Sequence, residues 1–182
     1  RNSQYYQGYD TSYLAGLIAM QKQYPQVALF GSIAGNWRES HVIPLLKKLG
    51  VTYYHPGTTD QQWTQVMGYR EADVMANAET IVMVINHSSP GFGGLAEAGW
   101  AALGASQRGQ TFILHIPTGY KFEGEGLAAL FSKKYVEMID DYAGRTRYLV
   151  NEHARRFSRD VNGLYVVENI EGVLKVLRQQ YS

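Results

Sequence analysis

The residue best placed to do chemistry is Glu97, in the run Gly93-Gly94-Leu95-Ala96-Glu97-Ala98-Gly99. Upstream lies the most apolar stretch of the chain, Thr80-Ile81-Val82-Met83-Val84-Ile85. Its β-branched residues and lack of alternation suit a strand buried on both faces. Ser88-Ser89-Pro90-Gly91 ends that strand, and a helix is expected over 95–103. Glu97 would then occupy the helix's first turn, where unpaired N–H groups and the dipole favour an ionised carboxylate. A charged carboxylate beside a glycine loop, where a ligand can approach the backbone, is a candidate nucleophile. The plainer alternative is a first-turn acid that stabilises its own helix.

The elements that must position Glu97 can be read in order. Residues 1–9 are polar and Tyr-rich and read as an irregular arm; Asp10, Thr11 or Ser12 can cap a short helix over 13–23, which Tyr24-Pro25 breaks. A first strand over 26–30 leads into Gly31-Ser32-Ile33-Ala34-Gly35-Asn36-Trp37. A helix over 38–49 has Val42, Leu45, Leu46 and Leu49 at helical spacing, with Gly50 as its C-terminal cap. Then come a strand over 51–55, a helix over 63–77, the strand 80–85, the Glu97 helix and a strand over 111–115. Residues 120–160 read as two helices broken near Ala143-Gly144; a fifth strand over 164–167 and a helix over 170–180 complete the chain. Alternating strands and helices predict a parallel sheet with right-handed crossovers: a three-layer, flavodoxin-like α/β fold of five strands in the order 2-1-3-4-5. The expected organisation is an arm and short helix over 1–25 and one α/β domain over 26–182.

In that order the topological switch lies between strands one and three, and ligands of open α/β sheets bind there, beyond the carboxyl ends of the strands. The loops emerging at the switch are the two glycine-rich ones, which places Gly31, Ser32, Gly93, Gly94 and Glu97 at one crevice. Neither G-x-G-x-x-G nor G-x-x-x-x-G-K-[ST] occurs, but the N–H groups of 31–35 could hold an anion or a sugar hydroxyl. Arg38 could clamp a phosphate or carboxylate, or pair with an acid such as Glu39. Trp37 would lie at the rim and reads as packing before base stacking.

Composition narrows the classes. With 182 residues, 45% hydrophobic and 18% charged, the chain can bury one proper core. Its 17 basic and 16 acidic residues leave a net charge of +1, so no global field recruits nucleic acid. There is no Cys, which excludes disulfides and thiolate chemistry and fits a reducing, cytoplasmic compartment. The five His form no H-x-H or H-x-x-x-H pair, so no zinc site is expected; no metal and no cofactor is expected for the chain. No apolar run approaches the ~20 residues of a membrane span. The sequence starts at Arg1 and not at Met, as a processed chain or a piece of a longer one would.

Several of these features occur together in one family. In order they are the strand into Gly31-Ser32, Trp37-Arg38, and the helix with Ile43-Pro44-Leu45-Leu46-Lys47-Lys48-Leu49-Gly50. Next come Tyr53-Tyr54-His55-Pro56 with Trp63 downstream, Glu71-Ala72-Asp73, the 80–85 strand and the Gly93–Gly99 element. Over residues 26–117 the chain resembles the nucleoside 2-deoxyribosyltransferase-like superfamily, in a divergent branch. The resemblance implies that Glu97 attacks the anomeric carbon of a nucleoside or nucleotide and forms a glycosyl-enzyme, which passes to another base or to water. It implies that Asp73 handles the leaving base; Arg70, Asp73 and Asn77 would share a polar helical stripe facing either the crevice or solvent. Family members commonly carry a carboxylate in the loop just before the Glu. Residues 88–94 have none, leaving Asn86, His87 and Ser88 to substitute by hydrogen bonding. The resemblance also implies a homo-oligomer, for which the mixed-charge stretch 120–160, with Arg145, Arg147, Arg155, Arg156 and Arg159, offers a face. The expected partner is thus a small nucleoside or nucleotide, with no nucleic acid and no membrane. Two other readings remain open: a non-catalytic nucleotide-binding or interaction domain, and a NAD-cleaving effector domain within a longer chain.

Overall fold

A computed structural model describes residues 24–57, 64–87, 89–117 and 133–182. The expected arm and helix of 1–23, the start of the second helix at Trp63, Ser88 and residues 118–132 lie outside the described residues.

The elements are β1 (Val27–Gly31), a π-helical turn (Arg38–Val42) running into α1 (Ile43–Leu49), β2 (Tyr53–Tyr54), α2 (Gln65–Asn77), β3 (Thr80–Val84), α3 (Phe92–Arg108), β4 (Thr111–His115), α4 (Lys133–Phe157), β5 (Leu164–Val166) and α5 (Ile170–Tyr181). The five strands form one parallel sheet in the order β2-β1-β3-β4-β5, as the alternation of elements predicts. The fold is therefore a flavodoxin-like, three-layer α/β sandwich.

Side-chain alternation sorts the core into two layers. Phe30, Ile81, Met83 and Leu114 meet α2, α3 and α4 through Val74, Leu95, Ala98, Ala101 and Ala154. Leu29, Val82, Val84 and Ile113 meet Trp37, Val42 and Leu46 on one side and Val173 and Leu177 of α5 on the other. Every residue of β3 is buried, as a central strand covered by helices on both faces must be. Its one hydroxyl, on Thr80, is satisfied by Tyr181 Oη at 2.8 Å.

The larger differences from expectation are at three elements. The strand expected over 51–55 reduces to Tyr53–Tyr54 at the sheet edge. The helix α3 begins at Phe92, before the glycine pair and not after it. Gly91, at φ 71°, is its N-cap, and its carbonyl accepts from Leu95 N–H at 2.8 Å. The break expected near Ala143-Gly144 is absent, and α4 runs unbroken from Lys133 to Phe157. A helical glycine costs only about 1 kcal/mol relative to alanine. Around it Ala143 is fully buried, Arg145 pairs with Asp141 at 2.5 Å, and Thr146 Oγ1 donates to Tyr142 O at 2.7 Å. Among the described residues no helix is long and apolar enough to cross a membrane.

Candidate active site at the sheet switch

Beyond the carboxyl ends of β1 and β3 the two glycine loops meet, and α3 starts directly on them. Gly31, at φ 105°, ends β1 so close to β3 that a Cβ there would lie 2.0 Å from Val84 O. Only glycine permits this approach. Gly94, in the first turn of α3, packs against it, with 3.6 Å between its ideal Cβ position and Gly31 Cα. The two loops are then stapled to each other. Asn86 N–H donates to Ser32 Oγ at 3.0 Å, Asn86 Nδ2 donates to Ala34 O at 2.6 Å, and Ser32 N–H donates to Val84 O at 2.8 Å. Between them is a cavity of about 340 Å³, lined by Gly31, Ser32, Ile33 and Ala34 from one loop and by Ser89, Gly91 and Gly94 from the other side.

Arg38 and Trp37 face into the fold. Arg38 is 1% exposed, and its guanidinium donates to the carbonyls of Ser32 at 2.8 Å, Gly31 at 3.2 Å and Leu29 at 3.4 Å. It also stacks on the Trp37 ring at 4.4 Å. Its hydrogen-bonding donors therefore hold the β1 loop, whereas the sequence offered it an anion or a surface acid. Burial lowers its pKa to about 10, opposed by the charges of Glu39, Glu71 and Glu97, so it stays cationic at neutral pH. Trp37 is buried in the α1–α5 layer, and its indole N–H donates to Ser32 O at 2.8 Å.

Glu97 is the sixth residue of α3, in the second turn. The first-turn dipole argument for its charge therefore does not apply, because that effect fades within one turn. Its surroundings act instead. Glu97 follows Gly94 by three residues and precedes buried Ala101 by four, so it stands at the edge of the helix's inward stripe, half-buried. Burial raises its pKa, and the Glu71 carboxylate raises it further, while the Arg38 guanidinium opposes both.

The acid that senses Glu97 is Glu71 and not Asp73. Glu71 lies three residues before buried Val74 and seven before buried Ala78, on the core-facing stripe of α2. Its charge also raises the pKa of Tyr54, after burial of that phenol, with Arg70 opposing. Arg70 sits over the Tyr54 ring at 5.3 Å. Asp73 lies on the other stripe, where it accepts from Asn77 Nδ2 at 3.2 Å and from Tyr24 Oη at 3.4 Å. The signal available in the sequence was an acid in phase with the apolar positions of α2.

The remaining expected residues are also placed. Gly93 is exposed at the start of α3. His87 is half-buried, and its charge helps lower the pKa of His115 at the end of β4, where burial is the larger cause. Among the described residues no three His, Asp or Glu side chains gather as a metal set.

The chain matches no protein-family model and no curated protein. Among solved structures it is similar to a conserved protein from Enterococcus faecalis V583, at 11% identity and a TM-score of 0.43, over 87% of this chain and 99% of that one. A likeness at that level carries no argument about function.

Proposed function

We propose that this chain is an N-glycosyl enzyme acting on a nucleoside or nucleotide, as a transferase between bases or as a hydrolase, with Glu97 as nucleophile. The observation that carries the reading is the setting of Glu97. It is a half-buried carboxylate that senses a second carboxylate, Glu71, and the buried Arg38, one helical turn after Gly94, which lines the cavity between the glycine loops. A retaining displacement uses one carboxylate as nucleophile and a second carboxyl group as proton donor, and a neighbouring guanidinium favours the ionised nucleophile.

In the first step a Glu97 carboxylate oxygen attacks C1′. The C1′–N bond breaks, and its electron pair leaves with the base, which takes up a proton. Glu71 replaces Asp73 as the group assigned to that proton, since it is the acid coupled to Glu97. In the second step a base nitrogen or a water oxygen attacks C1′, Glu97 departs as carboxylate, and the anomeric configuration is retained. The cavity of about 340 Å³ is within the size range of small-molecule sites and suits the hydroxyl or phosphate end of such a substrate.

The test is to mix the protein with deoxynucleosides, nucleoside monophosphates and NAD and to assay free base by chromatography. Base release abolished by Glu97→Gln supports the reading, and a new nucleoside formed with an added second base identifies transfer. Tight nucleotide binding with no turnover, unchanged by Glu97→Gln, makes the chain a non-catalytic binding module instead.

The same reading includes a homo-oligomer. Trp100 is 78% exposed and Leu103 is also exposed, beside an apolar cavity of about 410 Å³ between α3 and α4. Such an apolar surface is more than scattered exposed residues. Sedimentation at micromolar concentration should give a dimer or larger species; a monomer removes this part of the proposal.

A further inference from the structure

We infer that Arg147, on α4, is a positioning residue for the site, fixing the loop that carries the chain from β3 into the Glu97 helix. Its bearing on catalysis rests on the glycosyl reading above, whereas its bearing on loop geometry does not. Arg147 is 0% exposed. Its guanidinium donates to the carbonyls of Asn86 at 2.7 Å and Ser89 at 2.9 Å, and more weakly to those of Ile85 at 3.3 Å and Pro90 at 3.4 Å. A buried guanidinium needs partners for its donors, and here the loop's carbonyls satisfy both Nη groups.

The helix is built to bring it there. Ala143, Asn151 and Ala154, at −4, +4 and +7 from Arg147, are buried with it, so small side chains let α4 lie close. On the loop side Gly91 packs against Ile85 and the guanidinium. A Cβ at Gly91 would lie 3.4 Å from Arg147 Nη2 and 2.8 Å from Ile85 Cγ2.

The consequence for the site follows from peptide planarity. In a trans peptide the C=O and the next N–H point in opposite directions. The Ile85 carbonyl turns to Arg147 while the N–H of the same peptide, on Asn86, donates to Ser32 Oγ at 3.0 Å. That peptide is thus gripped from both sides. By the same geometry the Pro90 carbonyl faces Arg147, and Gly91 N–H points away from it. Arg147 therefore sets how the peptides leading into α3, and hence Glu97, are presented. A lysine cannot reproduce both arms: three of the carbonyls are met by Nη2 alone, but Ile85 O is held by Nη1, and one compact ammonium cannot stand at both positions.

The experiment is residue-resolved amide hydrogen exchange on wild type and Arg147→Lys, with kcat and KM for base release measured in parallel. Exchange within 86–95 should accelerate about tenfold or more while amides of β1 and β4 stay unchanged, and kcat should fall more than KM rises. Arg147→Gln, which keeps one side-chain amide donor but not the two Nη arms, should give the same local signature and serves if Arg147→Lys does not fold. Unchanged exchange in 86–95, or equal acceleration throughout the sheet, overturns the inference. If wild type releases no base from any substrate, the glycosyl reading falls while the exchange pattern still decides the role of Arg147. If wild type is active and Arg147→Lys matches it in exchange and in kcat, the inference falls and the glycosyl reading stands.

Discussion

Replacing Gly31 and Gly94 separately by alanine should give opposite results, although the two residues touch. At Gly31 the added Cβ would sit 2.0 Å from Val84 O, and the backbone is at φ 105°. A left-handed conformation costs an L-residue about 1–2 kcal/mol. Forcing extra volume into a packed site costs about 1–3 kcal/mol more. The clash is with backbone at the β1–β3 seam, which no rotamer can relieve, so the sum of about 2–5 kcal/mol should be realised. At Gly94 the Cβ would lie 3.6 Å from Gly31 Cα and from Ile85, an ordinary contact. Alanine is the better helix former by up to about 1 kcal/mol, so Gly94→Ala should be neutral to about 0.5 kcal/mol stabilising near the helix start. It also adds a methyl group at a lining residue of the cavity, so KM should rise while stability does not fall. Urea unfolding monitored by Trp fluorescence, with base-release kinetics, reads both effects. A stable Gly31→Ala, or a Gly94→Ala destabilised by more than about 1 kcal/mol, would refute the reasoning about this seam.

Other outcomes follow from the electrostatics. Because burial and Glu71 raise the pKa of Glu97, the folded state binds that proton more tightly than the unfolded chain. The stability contribution is therefore present at low pH and lost as pH rises from the ordinary carboxyl range, about 4.3, through the higher folded value. Glu97→Gln should accordingly lose activity yet gain stability at pH 7, measured as a higher urea midpoint. Since Glu97 must be ionised to attack, activity should fall on its acid limb, and Glu71→Gln should move that limb to lower pH by removing a like charge. A limb that stays put or moves up would contradict the coupling. Asp73→Asn should keep kcat/KM within about threefold of wild type, because Asp73 sits among Asn77 and Tyr24 and not beside Glu97.

What could be read from sequence follows from which signals are local. The alternation of apolar runs with helical spacing predicts the strand order, and the central run 80–85 with the two glycine loops predicts the switch; Glu97 follows one turn after Gly94, which lines the cavity there. Arg38 and Arg147 read from sequence as surface or ligand-facing charges because charge is rarely buried. Their partners are backbone carbonyls distant in sequence, which no spacing rule reports. In α2 the resemblance points to Asp73, whereas phase with Val74 and Ala78 singles out Glu71: it lies on the buried stripe and Asp73 off it. The early start of α3 has no signal in the sequence because Phe92-Gly93-Gly94 has low helix propensity. The left-handed Gly91 and its bond to Leu95 N–H outweigh that.

The central claim is that Glu97 forms a covalent bond to sugar, and intact-mass spectrometry tests it directly. Wild type mixed with a deoxynucleoside monophosphate and quenched in acid should gain the mass of one deoxyribosyl phosphate, mapped by proteolysis to the peptide containing Glu97 and absent in Glu97→Gln. Base release without any such adduct, or an adduct on a different side chain, would contradict it.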